Sequence, residues 1–142
     1  MSSINRLHDA VRGGDLSALT ALLAADAKLS NARSETDPRG TYPLHVAAEF
    51  GQAEAAKLLL AHGADVSLLD SENDAIALSW AAFFGRPGVT QVLLEAGSDR
   101  YQRNKHGLTA FDCASGGAQG QWQRFSNATL EDWRRCAELL RS

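Results

Sequence analysis

The 142-residue chain is expected to fold as one all-α domain, residues 1–142, a solenoid of stacked helix-turn-helix units joined by β-hairpin-like loops. Three observations predict it. The segment Pro43-Leu44-His45-Val46-Ala47-Ala48-Glu49-Phe50-Gly51 returns, 34 residues on, as Leu78-Ser79-Trp80-Ala81-Ala82-Phe83-Phe84-Gly85. The segment Lys57-Leu58-Leu59-Leu60-Ala61-His62-Gly63-Ala64-Asp65 returns as Gln91-Val92-Leu93-Leu94-Glu95-Ala96-Gly97-Ser98-Asp99. The glycines expected between paired helices, Gly14, Gly51 and Gly85, are spaced by 37 and 34 residues. Self-similarity at a period of this size marks supersecondary units that bury their apolar faces only by stacking on one another.

The first unit, residues 1–32, begins inside its first helix with Leu7-His8-Asp9-Ala10-Val11 and continues with the apolar stripe Leu19, Leu22 and Leu23. It reads as an amino-terminal cap. Asp26 stands where the next units place Gly63 and Gly97 after the second helix, a position expected to be left-handed and costly for a residue with a Cβ. In the second unit, residues 37–69, Pro43 suits a first helical position because its φ is preset and its missing N–H had no partner there. The residue before it, Tyr42, lacks the short side-chain oxygen that caps helices, a loss of about 0.5–2 kcal/mol.

The third unit, residues 70–103, repeats the small residues of the second: Ala47, Ala48, Ala81 and Ala82 let neighbouring first helices approach, while Leu58, Leu59, Val92 and Leu93 fill the second helices. The fourth unit, residues 104–142, opens with Gly107-Leu108-Thr109-Ala110-Phe111-Asp112-Cys113-Ala114, with Thr109 as cap. A glycine-rich insertion, residues 115–128, is expected to be mostly loop. Its Trp122 and Phe125 either cover the apolar end of the stack or anchor a binding loop. A closing helix from Leu130 to Leu140 follows, capped by Asn127 or Thr129 with Glu131 and Asp132 in its first turn. Smaller insertions are expected in the loops near residues 31–37 and 71–74.

The PLHVAA and LLLAHGAD segments resemble the ankyrin repeat, whose unit of about 33 residues opens its first helix with T-P-L-H-x-A. The resemblance implies that His8 and His45 hydrogen-bond backbone in neighbouring loops, with Ser79 and Asp112 serving a comparable local purpose in the next units. It also implies a non-catalytic module that binds another protein through a concave face of hairpin tips and first-helix ends. Those positions are Arg39 and Thr41, then Glu72 and Asn73, then Lys105, His106 and Leu108, with Glu49, Phe50, Phe83, Phe84 and Arg86 from the helix ends. Phe50, Trp80, Phe83 and Phe84 come from adjacent units and are placed to form one apolar patch, of the kind that carries binding energy at interfaces. The basic hairpin Arg100-Tyr101-Gln102-Arg103-Asn104-Lys105-His106 is either a solvated turn or a site for an acidic partner surface. Small-ligand binding at an aromatic cleft around Trp80 and Phe83 is the alternative.

Composition narrows the classes further. A net charge of −3 argues against nucleic acid as a partner, which calls for a broad basic surface. The absence of an 18-residue apolar run argues against a membrane span, and the amino terminus lacks an apolar secretion signal, so a cytoplasmic monomer is expected. Cys113 and Cys136 are expected to be packing thiols, with no CxxC pair and no Cys and His set for a metal, and no cofactor is anticipated. A Ser79–His45–Asp112 triad is rejected, because successive units hold these residues about 10 Å apart, the spacing of packed helices, and catalysis needs hydrogen-bond contact.

Overall fold

A computed structural model describes residues 2–141. The helices are α1 (Ser3–Gly13), α2 (Leu16–Ala25), α3 (Pro43–Phe50), α4 (Ala53–Ala61), α5 (Ala77–Phe83), α6 (Pro87–Glu95), α7 (Ala110–Ala118) and α8 (Leu130–Leu140), with no strand among the described residues. They pair in chain order. The first helices α1, α3, α5 and α7 pack side by side in one row, and the second helices α2, α4, α6 and α8 form a parallel row behind them.

The apolar pattern explains both rows. Ala47, Ala48, Ala81, Ala82 and Ala114 are fully buried between first helices, and Leu19, Leu23, Leu59 and Leu93 fill the space toward the second row. Burial of a Leu or Val side chain contributes about 1.5–3 kcal/mol, so stability accumulates unit by unit along the stack. Inside each of the first three pairs the chain reverses on a left-handed glycine, Gly14, Gly51 or Gly85, with φ of 68°, 71° and 69°. The loops between units are tight hairpin-like turns, closed by backbone bonds from Ser34 N to Thr41 O at 2.8 Å and from Asn104 N to Leu108 O at 3.0 Å. Successive turns are stitched together as well, by Ser71 N to Arg39 O at 2.8 Å and Lys105 N to Asn73 O at 2.9 Å.

Tyr42 does occupy the cap position of α3 and makes no side-chain cap hydrogen bond. Its backbone N–H instead donates to His45 Nδ1 at 3.2 Å, and its ring lies under the Arg33 guanidinium at 5.5 Å. Thr109 and Asp112 cap α7 reciprocally, and Thr129 with Asp132 does the same for α8. Thr129 is therefore the cap of the closing helix, and Asn127 is used elsewhere.

One expectation is corrected and another is refined. Asp26 is extended, with φ of −154°, because its carboxylate accepts from Lys28 N at 3.1 Å and starts a short 3₁₀ turn, Ala27–Asn31. The strain expected of a left-handed aspartate is avoided by a different chain path. The insertion is mostly turn and loop as expected, with a short 3₁₀ turn at Gln123–Phe125, but its first residues, Ser115 to Ala118, extend α7. Gly116 and Gly117 serve packing there: a Cβ on Gly116 would stand 2.8 Å from the Trp122 ring, and one on Gly117 would overlap the Trp133 ring. The missing side chains make room for two indoles.

Candidate partner-binding groove

Two recurring devices hold the loops against the helices, a histidine in the first two units and an Asp or Asn in the second to fourth. His8 Nε2 bonds Ala32 O at 2.8 Å and His45 Nε2 bonds Ala75 O at 2.9 Å, the backbone role that the resemblance implies. With Nδ1 of His45 accepting from Tyr42, Nε2 is the donor, which is the neutral tautomer. Burial favours that form and lowers the pKa of both imidazoles below 6.5. The other device was missed in the sequence. Asp70, buried, accepts from the N–H groups of Glu72, Asn73 and Ala75 and from Trp80 Nε1, all within 3.1 Å. Asp37 and Asn104 accept from backbone at the matching places, so an Asp or Asn spaced by 33 and 34 residues was the available signal.

These devices shape a groove of about 520 Å³ along the first helices and the loops of the second to fourth units. Ala75, Ser79, Trp80 and Cys113 are its buried floor; Phe83, Phe84, Leu108 and, from the insertion, Trp122, Arg124 and Phe125 are its walls; Arg39, Glu72, Asn73, Asn104 and His106 stand at the rim. The Phe83 ring is the hub. Its centroid lies 5.1 Å from Phe84 edge-on, 4.9 Å from Trp122 and 5.6 Å from Phe125, distances at which aromatic pairs attract. At the other end Arg39 bridges Asp37 and Glu49, at 2.9 Å to each, with its guanidinium 4.9 Å above the Trp80 ring. Arg39 lowers the pKa of Asp37, and the two carboxylates raise that of Arg39.

Seven of the twelve expected site residues line this groove: Arg39, Glu72, Asn73, Phe83, Phe84, His106 and Leu108. Lys105 is exposed on the adjoining turn. The others are placed differently. Thr41 is 0% exposed and its hydroxyl donates to Asp37, so it braces the loop and cannot meet a partner. Phe50, 40% exposed, lines an adjoining cleft of about 330 Å³ with Arg12, Glu49, Arg86 and, on its far side, Phe125; Arg12 lies 5.9 Å over its ring. Glu49 is committed to Arg39, and Arg86 spans three units through Glu49 O at 3.0 Å and Asn127 Oδ1 at 2.7 Å.

Trp80 is 5% exposed with its N–H spent on Asp70, which leaves it a packing element of the floor. Ser79, assigned a local hydrogen-bonding role, has a buried hydroxyl with no partner among the described residues, whereas Asp112 fulfils its role as a capping residue. Trp122 and Phe125 come together on the groove side of the insertion. They turn onto Phe83, Trp122 also donating its Nε1–H to Cys113 O of α7 at 2.8 Å, while Trp133 of α8 is fully buried between the third and fourth units. Both cysteines are free and buried, and burial pushes the Cys113 thiol up to about 12 and Cys136 to about 11, which suppresses the reactive thiolate.

Paired helices stacked in two rows, with stitched turns projecting beside a groove, define a helical-repeat protein. More particularly, the chain belongs to the ankyrin repeat family: the family model for ankyrin repeats in three copies matches residues 7–104. The chain is 41% identical over 80 residues to an ankyrin repeat-containing protein of Treponema pallidum, 56% of this chain and 27% of that protein. It is 34% identical over 117 residues to palmitoyltransferase AKR1 of Debaryomyces hansenii, 79% of this chain and 14% of that protein. It is 33% identical over 118 residues to the E3 ubiquitin-protein ligase hecd-1 of Caenorhabditis elegans, 80% of this chain and 4% of that protein. The chain thus matches a minor part of each relative's length. Ankyrin repeats are in general protein–protein interaction modules.

Proposed function

We propose that this domain is a non-catalytic module that binds a partner protein along the concave face, with the groove between Arg39 and His106 as the contact surface. The observation that carries this reading is the cluster Phe83, Phe84, Trp122 and Phe125, half-buried to exposed side chains from two separate segments that share one wall. Rings already packed on one another lose little entropy when covered, which makes them effective anchors. The small-ligand alternative loses its centre with the burial of Trp80. A photo-crosslinker tests the proposal: installed at His106 it captures a protein partner from native lysate, installed at Lys57 on α4 it does not. Capture that ignores this difference, or that survives Phe83→Ala undiminished, rejects the concave face.

A further inference from the structure

The charges around the groove are distributed unevenly. At one end Arg39 is neutralised by Asp37 and Glu49. At the other, Arg124 lines the groove and Arg103 and Lys105 stand on the adjoining turn; all three are exposed and pair with no carboxylate among the described residues. Arg103 is turned back on its own loop, its Nη1 donating to Gly107 O at 2.6 Å. Arg124 lies 4.7 Å over the Phe125 ring, so a cation sits directly on the aromatic wall. Between the two ends stands Glu72, exposed and without a salt-bridge partner among the described residues. The chain as a whole carries a charge of −3, and exposed Asp74 adjoins the Asn73–Lys105 link, so the three cations are a local excess beside the groove and not the general character of the surface.

We propose that the occupant of the groove is an extended, acidic partner segment that sets an apolar side chain against Phe83 and Trp122 and extends its carboxylates toward Lys105, Arg103 and Arg124. The proposal deepens the groove reading and rests on it. Charge complementarity argues for the composition. Carboxylates beside Lys105 and Arg124 gain attraction, while the same carboxylates over Glu72 meet repulsion, so the acidic run is expected to lie on the Arg124 side of the groove. Lysine-rich segments are rejected by the same cations. Because these cations are exposed, their contribution shows mainly in association rate and in salt dependence.

The test uses labelled synthetic peptides and fluorescence anisotropy. Three peptides share a Phe-Leu-Phe core followed by four glutamates, four serines or four lysines. The glutamate peptide is expected to bind at least about tenfold more tightly than the other two, and to weaken several-fold as salt rises through the range in which the Debye length contracts from about 10 to 3 Å. The exposed pair Lys105→Glu and Arg124→Glu, with circular dichroism unchanged, erases that preference. Equal binding of the glutamate and serine peptides, both lost in Phe83→Ala, keeps the groove and overturns the acidic occupant. Binding of the glutamate peptide that is indifferent to Phe83→Ala removes the groove itself as the site. No binding by any peptide overturns the acidic occupant alone, since capture from lysate tests the groove separately.

Discussion

The indole N–H of Trp133 donates to the backbone carbonyl of Phe83 at 2.9 Å, across 50 residues of sequence. This bond ties the closing helix α8 to the end of α5, where the hub of the aromatic wall is mounted. The fully buried Trp133 ring is received by the two glycines Gly85 and Gly117, at which any Cβ would collide with it or come within 3.0 Å.

Trp133→Ala is expected to destabilise the fold by about 3–5 kcal/mol, the cost of emptying a large buried site. Gly117→Ala, which adds a single methyl, is expected to cost about 1–3 kcal/mol by overpacking. Urea denaturation followed by circular dichroism measures both. A Gly117→Ala variant as stable as the parent contradicts the seating of Trp133 described here.

Asp70 offers a graded test of the loop device. Its Oδ2 accepts from Glu72 and Asn73, and its Oδ1 from Ala75 and Trp80. Asp70→Ala strands all four buried or part-buried donors and is expected to cost at least about 4 kcal/mol, at roughly 1–3 kcal/mol per stranded group. Asp70→Asn keeps the Oδ1 acceptor and should lose about half as much. Thermal melts of the two variants, compared with the parent, decide whether the losses rank in that order.

The pH dependence of stability follows from the histidines. Burial holds the pKa of His45 and His8 below 6.5, so the unfolded chain takes up protons first as the pH falls. Stability from this source is complete above 6.5 and drains away as the pH drops through the lower folded-state values. The contribution of Asp37, whose pKa is depressed from 3.8, is lost only at more acid pH. Urea midpoints are expected to fall between pH 7.5 and 5 in the parent and to fall less in His45→Asn, which starts lower because it loses the bond to Ala75.

Tyr42→Thr places a capping oxygen at the start of α3, a gain of about 0.5–2 kcal/mol, and removes the ring beneath Arg33, a loss of about 0.5–1 kcal/mol at an exposed site. The net expectation is a small rise in melting temperature. In an Arg33→Ala background the loss is already incurred, so the same substitution should stabilise more. A decrease in both backgrounds rules out Tyr42 as the uncapped start of the helix.

The helix pairs and the backbone roles of His8 and His45 were legible because each is written at the repeat period, and periodic patterns specify neighbours that are themselves periodic. Thr41 was misplaced because it sits on an exposed-looking turn while its hydroxyl turns inward to Asp37. Phe50 follows the helix-end pattern of Phe83 and Phe84, yet it lines an adjoining cleft, with Arg12 of the preceding unit over its ring. The route of residues 115–128 was illegible for a different reason. Glycine usually signals loop, and here Gly116 and Gly117 lie within a helix because two distant tryptophans need the volume; nothing local records that demand.

The two stitches from Ser71 N to Arg39 O and from Lys105 N to Asn73 O give the row of turns a mechanical property that no single turn has. Load applied to one is transmitted through a backbone link to the next, so the row resists splaying as a ribbon resists shear. Because both links are main-chain bonds, they do not depend on which side chains Arg39, Ser71, Asn73 and Lys105 carry.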